Sequence, residues 1–191
     1  MRASVGAITL MLVICLALPS GASAARKASK DQQREDVRKA TRDILARLYK
    51  VQPGAKSAVE KAAGYAVFSN FGMKILVAGG GSGKGLAVSN ASKKETFMKM
   101  VEIQAGLGFG VKKFQLVWVF EAQAALDTFT NSGWELGAQT TAGAAVKGEG
   151  MALQGALSVS PGVWLYQLTD TGLALELTAK GTKYYKDDDL N

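Results

Sequence analysis

Apolar residues recur along this chain with two different periods. Between Lys30 and Lys50, Val37, Ala40, Ile44, Leu45 and Leu48 fall on one face of a helix. Ser29 stands where an N-cap belongs, and Gln52-Pro53-Gly54 stops the run. A shorter helical pattern, "AKSAVEKAAG", ends at Gly64, read as a C-terminal glycine. Beyond it, "YAVFSNF" and "KILVAGG" are rich in branched and aromatic residues, and the period shortens to that of strands. Strands are predicted over about 73–81, 84–89, 96–110, 114–121, 134–146, 151–159, 162–168 and 172–180. One helical interruption, "EAQAALDTFTNSG", puts Ala122, Ala125, Leu126 and Phe129 on one face and ends at Gly133. Ser89-Asn90-Ala91-Ser92, Ser160-Pro161-Gly162 and Asp170-Thr171-Gly172 are tight reversals, so neighbouring strands should pair antiparallel. The predicted class is α+β: a strongly bent, antiparallel, barrel-like β-sheet over about 65–186, with an N-terminal amphipathic helix over about 30–50 and one or two short packed helices.

The N-terminal end has a different character. Arg2, the apolar run "AITLMLVICLAL", and Pro19-Ser20-Gly21 ahead of Ala22-Ser23-Ala24 have the order of a secretory signal, with cleavage expected near Ala24. The run is short for a bilayer span, and retention as an anchor is the alternative. Ile14 before Cys15 departs from the small residue that lipid attachment requires. One domain over residues 25–191 is expected, periplasmic or secreted, with peripheral membrane contact open to it. Its 167 residues contain no cysteine and no histidine. Thiol nucleophiles, Ser/His/Asp triads, disulfides, Cys/His zinc sites and imidazole acid–base chemistry are thereby excluded.

Of the net charge of +7, residues 25–50 hold +5, with nine basic and four acidic side chains. A basic helix joined to a near-neutral body is the pattern.

"VAGGGSGKGLAV" invites comparison with a phosphate-binding loop, but Ala78 replaces the first glycine and Gly85 replaces the metal-holding hydroxyl. No helix follows whose N-terminus could hold a phosphate. "AGLGFGV" misses the dinucleotide fingerprint, with Val111 at the third glycine position. What these runs share is parity: Gly79, Gly81, Gly83 and Gly85 alternate, as do Gly106, Gly108 and Gly110. One bare strand face permits close backbone approach or tight coiling of the sheet. Neither a nucleotide nor a cofactor is expected.

The segments "GYAVFSNFGMKILVAGGGSGKGLAV", "MVEIQAGLGFGVKKFQLVWVFEAQAALDTF", "WELGAQTTAGAA" and "GTKYYKDDDLN" together resemble the SYLF domain family, in its secreted bacterial form, from about Ala40 to Asn191. The resemblance implies a non-enzymatic lipid-binding module. Eukaryotic relatives bind phosphoinositides, some fungal ones also bind actin, and in some an N-terminal amphipathic helix contributes to membrane contact. Carried onto this chain, it implies Arg34, Arg38, Lys39, Arg42, Arg47 and Lys50 as headgroup contacts and Ile44, Leu45 and Leu48 as apolar contacts. Membrane lipids, anionic ones preferred, are the expected partners. Actin is not, because an exported protein would not meet it.

The residues alone also suit a basic amphipathic helix lying on an anionic membrane, where each cation contributes about 1 kcal/mol. The alternative is that the apolar stripe docks on the sheet, and the two are compatible if the basic face stays exposed. A second function class is a structural outer-membrane β-barrel. A third is an enzyme pairing carboxylates among Glu102, Glu121, Glu135 and Glu149. Asp187-Asp188-Asp189 lacks calcium-loop spacing and reads as a solvated tail. Nucleic acid is not expected, since the basic residues are interspersed with acids.

Overall fold

A computed structural model describes residues 20–75, 78–105, 110–137, 153–174 and 181–191. Among these residues, three helices and nine strands follow in the order α1 (Ser20–Val51), α2 (Gly54–Lys61), β1 (Gly64–Ile75), β2 (Ala78–Ser89), β3 (Glu95–Ala105), β4 (Gly110–Phe120), α3 (Gln123–Asn131), β5 (Trp134–Leu136), β6 (Leu157–Ser160), β7 (Val163–Thr169), β8 (Gly172–Ala174) and β9 (Thr182–Lys186). The strands form one antiparallel sheet, β5-β9-β3-β2-β1-β4-β7-β6, with β8 paired to β7. The predicted α+β class with a bent antiparallel sheet is what the chain adopts.

The curl of the sheet can be read from its aromatic contacts. Trp118 on β4 and Tyr184 on β9 are four strands apart, roughly 19 Å in a flat sheet. Their ring centroids lie 5.0 Å apart. Phe68 on β1, three strands from β9, also meets Tyr184 at 5.0 Å. Side chains standing perpendicular to a flat sheet could not close these gaps, so the sheet wraps around them. α3 adds Leu126 and Phe129 to the same concave core, with Phe129 at 4.9 Å from Phe120.

Curling crowds the concave side, and the glycine parity relieves that crowding. A Cβ on Gly85 would stand 2.3 Å from the Phe68 ring and 2.5 Å from the Val67 carbonyl oxygen. One on Gly83 would stand 2.4 Å from the Ser69 carbonyl oxygen and 2.8 Å from Met100. At Gly83 and Gly85 the bare face is therefore filled by side chains and backbone of β1 and by Met100 of β3.

The convex face carries the other parity. Val67, Val117, Val119, Tyr166 and Leu168 meet Ile44 and Leu48 of α1 and Ala55 and Val59 of α2. Toward the other flank of α1, Val37 joins Leu86, Phe97 and Leu190.

Several element boundaries differ from expectation. α1 begins at Ser20, so Ser29 lies within the helix and is not its cap. α2 stops at Lys61, and Gly64 opens β1. Glycine is needed there for space, because a Cβ would meet the Val88 carbonyl oxygen at 2.4 Å and Leu126 at 2.5 Å. The strand expected over 73–81 is divided between β1 and β2, which pair from Gly64↔Ser89 to Ile75↔Ala78. β9 was absent from the predicted strands, although "TKYYK" alternates buried and exposed residues in the structure. The three predicted reversals are all present, and Gly162 and Gly172 take φ of +70° and +126°. The apolar run 7–18, Gly106 and Gly108, and the predicted strand positions within 138–152 and 175–180 lie outside the described residues.

Two predictions follow from this packing. Gly85→Ala should lower the stability in urea by about 1–3 kcal/mol through overpacking against the Phe68 ring and the adjacent carbonyl. Gly80→Ala, whose nearest obstacle is the Glu102 carbonyl oxygen at 3.4 Å, should be far better tolerated. The second concerns alkaline pH. Burial pushes the Tyr49 and Tyr166 hydroxyls up to about 12, and Tyr184 beyond that range. These phenols stay neutral in the fold but titrate near 10 when unfolded, so their contribution is complete below pH ~10 and is lost as pH rises through ~12. The Tyr184 hydroxyl and Trp118 Nε1 are buried near each other and near Thr182, but among the described residues neither makes a hydrogen bond of good geometry. Tyr184→Phe should therefore shift stability at pH 7 by less than ~1 kcal/mol and delay alkaline unfolding, as read by circular dichroism.

Candidate functional site

The sequence-predicted contact residues separate by the direction they face. Ile44 and Leu48 are buried on the convex face of the sheet, and Leu45 packs half-buried against the same cluster. Of the cations, Arg34 donates to Asp31 at 2.6 Å and to the Leu190 carbonyl at 2.7 Å. Arg38 meets Glu95 at 2.8 Å and lies 5.2 Å from the centre of the Phe97 ring. Lys39 pairs with Asp43 at 2.7 Å and Arg42 with Glu35 at 3.0 Å. Lys50 is exposed near the end of α1. From 31 to 50, the exposed positions hold Asp31, Glu35, Asp36 and Asp43 against Lys39, Arg42 and Lys50. The outward face of the helix is thus nearly neutral. Among the described side chains its basic excess lies on the flanks, at Lys30, Arg34, Arg38 and Arg47, where the helix meets the sheet. Exposed pairs of this kind contribute about 0–1 kcal/mol each and exchange readily.

Arg47 is held differently, by neutral acceptors. Its guanidinium donates to Gln115 Oε1 at 3.0 Å and to the Thr169 carbonyl. Gln115 belongs to a row of directly opposed residues crossing the convex face: Leu168, Gln115, Ser69, Lys84, Lys99 and Tyr185, from β7 through β4, β1, β2 and β3 to β9. Cavities gather along this row, beside α1. One of about 350 Å³ is lined by Ser69, Ser82, Lys84, Lys99, Val101 and Tyr185, over Gly83 and Met100. A second, about 240 Å³, runs from Ser69 and Lys84 under Gln33, Asp36, Val37 and Ala40. A third, about 260 Å³, joins Ser69 to Arg47, Lys113, Gln115 and Asp170. Ser69 is common to all three. Sequence reasoning noticed Lys84 only as part of a failed phosphate loop and passed over Ser69 and Lys99. Their convergence depends on strand register, for which the sequence carries no local signal.

The terminal acidic run is not a solvated tail. Asp187 is 1% exposed and its carboxylate meets Lys99 Nζ at 2.8 Å. That hydrogen bond, ahead of the neighbouring charges, raises the Lys99 ammonium above its ordinary pKa. Asn191 extends the sheet with its side chain, accepting from the Phe97 N–H at 3.0 Å and donating to its carbonyl at 2.8 Å. Leu190 is buried beside Val37, Leu86 and Phe97, and Lys30 reaches Asp189 at 3.8 Å. The tail therefore ties α1 to β3.

Among the described residues, Glu102, Glu121 and Glu135 do not form a carboxylate pair. Glu102 is buried on the concave side, opposite Thr182. Glu135 is exposed and opposite Lys183, on the other face of the sheet, and Glu121 accepts from Trp164 Nε1 at 2.9 Å. Glu149 lies outside the described residues. The convex face carries α1, α2 and the lysine row, where a membrane barrel would need a continuous apolar band.

Residues 101–191 match the family model Ysc84, described as Las17-binding protein actin regulator. The chain is also 36% identical, over 146 residues, to beta cell expansion factor A of Aeromonas veronii. That alignment covers 76% of this chain and 54% of the relative, so the chain spans about half the relative's length.

Leu190→Ala should cost about 2–3 kcal/mol in urea denaturation, because it opens the apolar contact between the tail, α1 and β3. Asp188→Asn, at an exposed position two residues earlier, should change stability by less than ~0.5 kcal/mol.

Proposed function

Since the chain carries a Ysc84 (SYLF) domain over residues 101–191, we propose that it is a non-enzymatic domain that binds lipid surfaces and prefers anionic headgroups. The observation that carries this reading is the convex face beside α1, where Arg47, Lys84, Lys99 and Lys113 line adjoining cavities around Ser69. The apolar stripe of α1 is occupied by the sheet, so electrostatic contact is the mode this surface favours. Lys39, Arg42 and Lys50 supply further exposed cations, and the exposed ion pairs of Lys39 and Arg42 leave those two able to exchange toward headgroups. The reading agrees with the secretory signal expected in residues 1–24, since an exported domain would have a membrane surface within reach. The actin partner in the family description is not one such a protein would meet.

Sedimentation of the chain lacking residues 1–24 with vesicles tests the reading. Binding should be stronger to phosphatidylglycerol vesicles than to phosphatidylcholine vesicles. It should weaken as salt shortens the screening length from about 30 Å at 0.01 M to about 8 Å at 0.15 M. Equal binding to both compositions at low salt would overturn it.

A further inference from the structure

Lys84 and Lys99 occupy directly opposed positions on β2 and β3, in the middle of the sheet and on the same face. Like charges so placed weaken strand pairing. Lys99 is used by the fold, through the buried Asp187, but placing Lys84 opposite it adds a repulsion that a bound anion would turn into attraction. Both ammoniums line one cavity of about 350 Å³, within the size range of small-molecule sites. Ser69 and Ser82 add two hydroxyl donors, and Tyr185, 36% exposed, forms a side wall.

The two lysines are held in different ways. Lys84 Nζ donates to the neutral Gln33 Oε1 at 2.6 Å, and among the described residues no carboxylate lies within ion-pair distance of it. Its charge is positioned but not compensated. Lys99 is fixed by the buried Asp187 at 2.8 Å and also meets Asp189 at 3.4 Å, whose side chain is 67% exposed. Asp187 cannot leave without being stranded, whereas Asp189 is a replaceable partner. The carboxylates Asp36 and Asp170 stand on the adjoining cavities, which leaves the space between Lys84 and Lys99 as the part suited to an anion.

Building on the lipid-binding reading, we infer that this cleft is a seat for the phosphate group of a headgroup. Lys84 and Lys99 grip its oxygens as point charges, Ser69 and Ser82 donate to the same group, and Asp189 gives way as it enters. Tyr185 offers its ring to the remainder of the headgroup.

The test compares Lys84→Gln with Lys94→Gln, a charge-matched change at an exposed position in the β2–β3 turn. Vesicles of phosphatidylcholine containing phosphatidic acid provide one arm, and soluble glycerol 3-phosphate, followed by amide NMR shifts, provides the other. Lys84→Gln should weaken vesicle binding about fivefold to tenfold and Lys84→Arg should restore part of it, while Lys94→Gln stays within about twofold. Glycerol 3-phosphate should shift the amides of Ser69, Lys84, Lys99 and Tyr185. If the unaltered protein binds vesicles and the two glutamine variants bind alike, the seat is wrong and the lipid reading survives. If it ignores vesicles but glycerol 3-phosphate shifts those amides, the seat stands for free phosphate compounds and the lipid reading falls. If neither arm responds, both fall.

Discussion

Contact between aromatic rings from strands three and four apart in the sheet is the constraint on which the rest of the structure depends. Tyr184 of β9 meets both Phe68 and Trp118, and it does so only because the sheet curls. Curling forces the concave side of β2 to be nearly bare, and Gly83 and Gly85 meet that demand. It also splays apart the side chains on the convex side, where grooves form beside α1. The cavities around Ser69 thus follow from the same geometry that closes the aromatic core.

α1 and the terminal tail complete the arrangement from outside. The helix lies across the convex face on Ile44 and Leu48, and the tail holds its N-terminal half through Leu190 and Asp189. Both are polar on their outer sides, so what remains open to a partner is the strip between the helix and the far ends of the strands. Within that strip Lys84 and Lys99 stand directly opposite each other, Lys99 held by Asp187 and Lys84 by the neutral Gln33.

Fold class was legible because it rests on local signals. The stripe from Val37 to Leu48, the Gly133 stop and the three reversals each depend on a few neighbouring residues, and each appears in the structure. Boundaries were less so: Gly64 has the look of a helix cap but is required by the close approach of Val88 and Leu126, far away in sequence. The acidic tail was misread for a related reason. Three adjacent aspartates suit solvent, and only the neighbouring strand β3 supplies the Lys99 ammonium and the Phe97 backbone that bury one of them.

By itself, then, the sequence determined the chemistry that is absent from residues 25–191 and the bare face of β2. It also determined the amphipathic helix and the antiparallel order of neighbouring strands, since residue type and spacing act over a few positions. Only the tertiary structure decided which way the charges of α1 face, since a helix shows its flanks only once docked. Register, too, was decided there. Ser69, Lys84 and Lys99 come from three strands, and only the pairing of those strands, set by the packing of the closed core, brings them into one row.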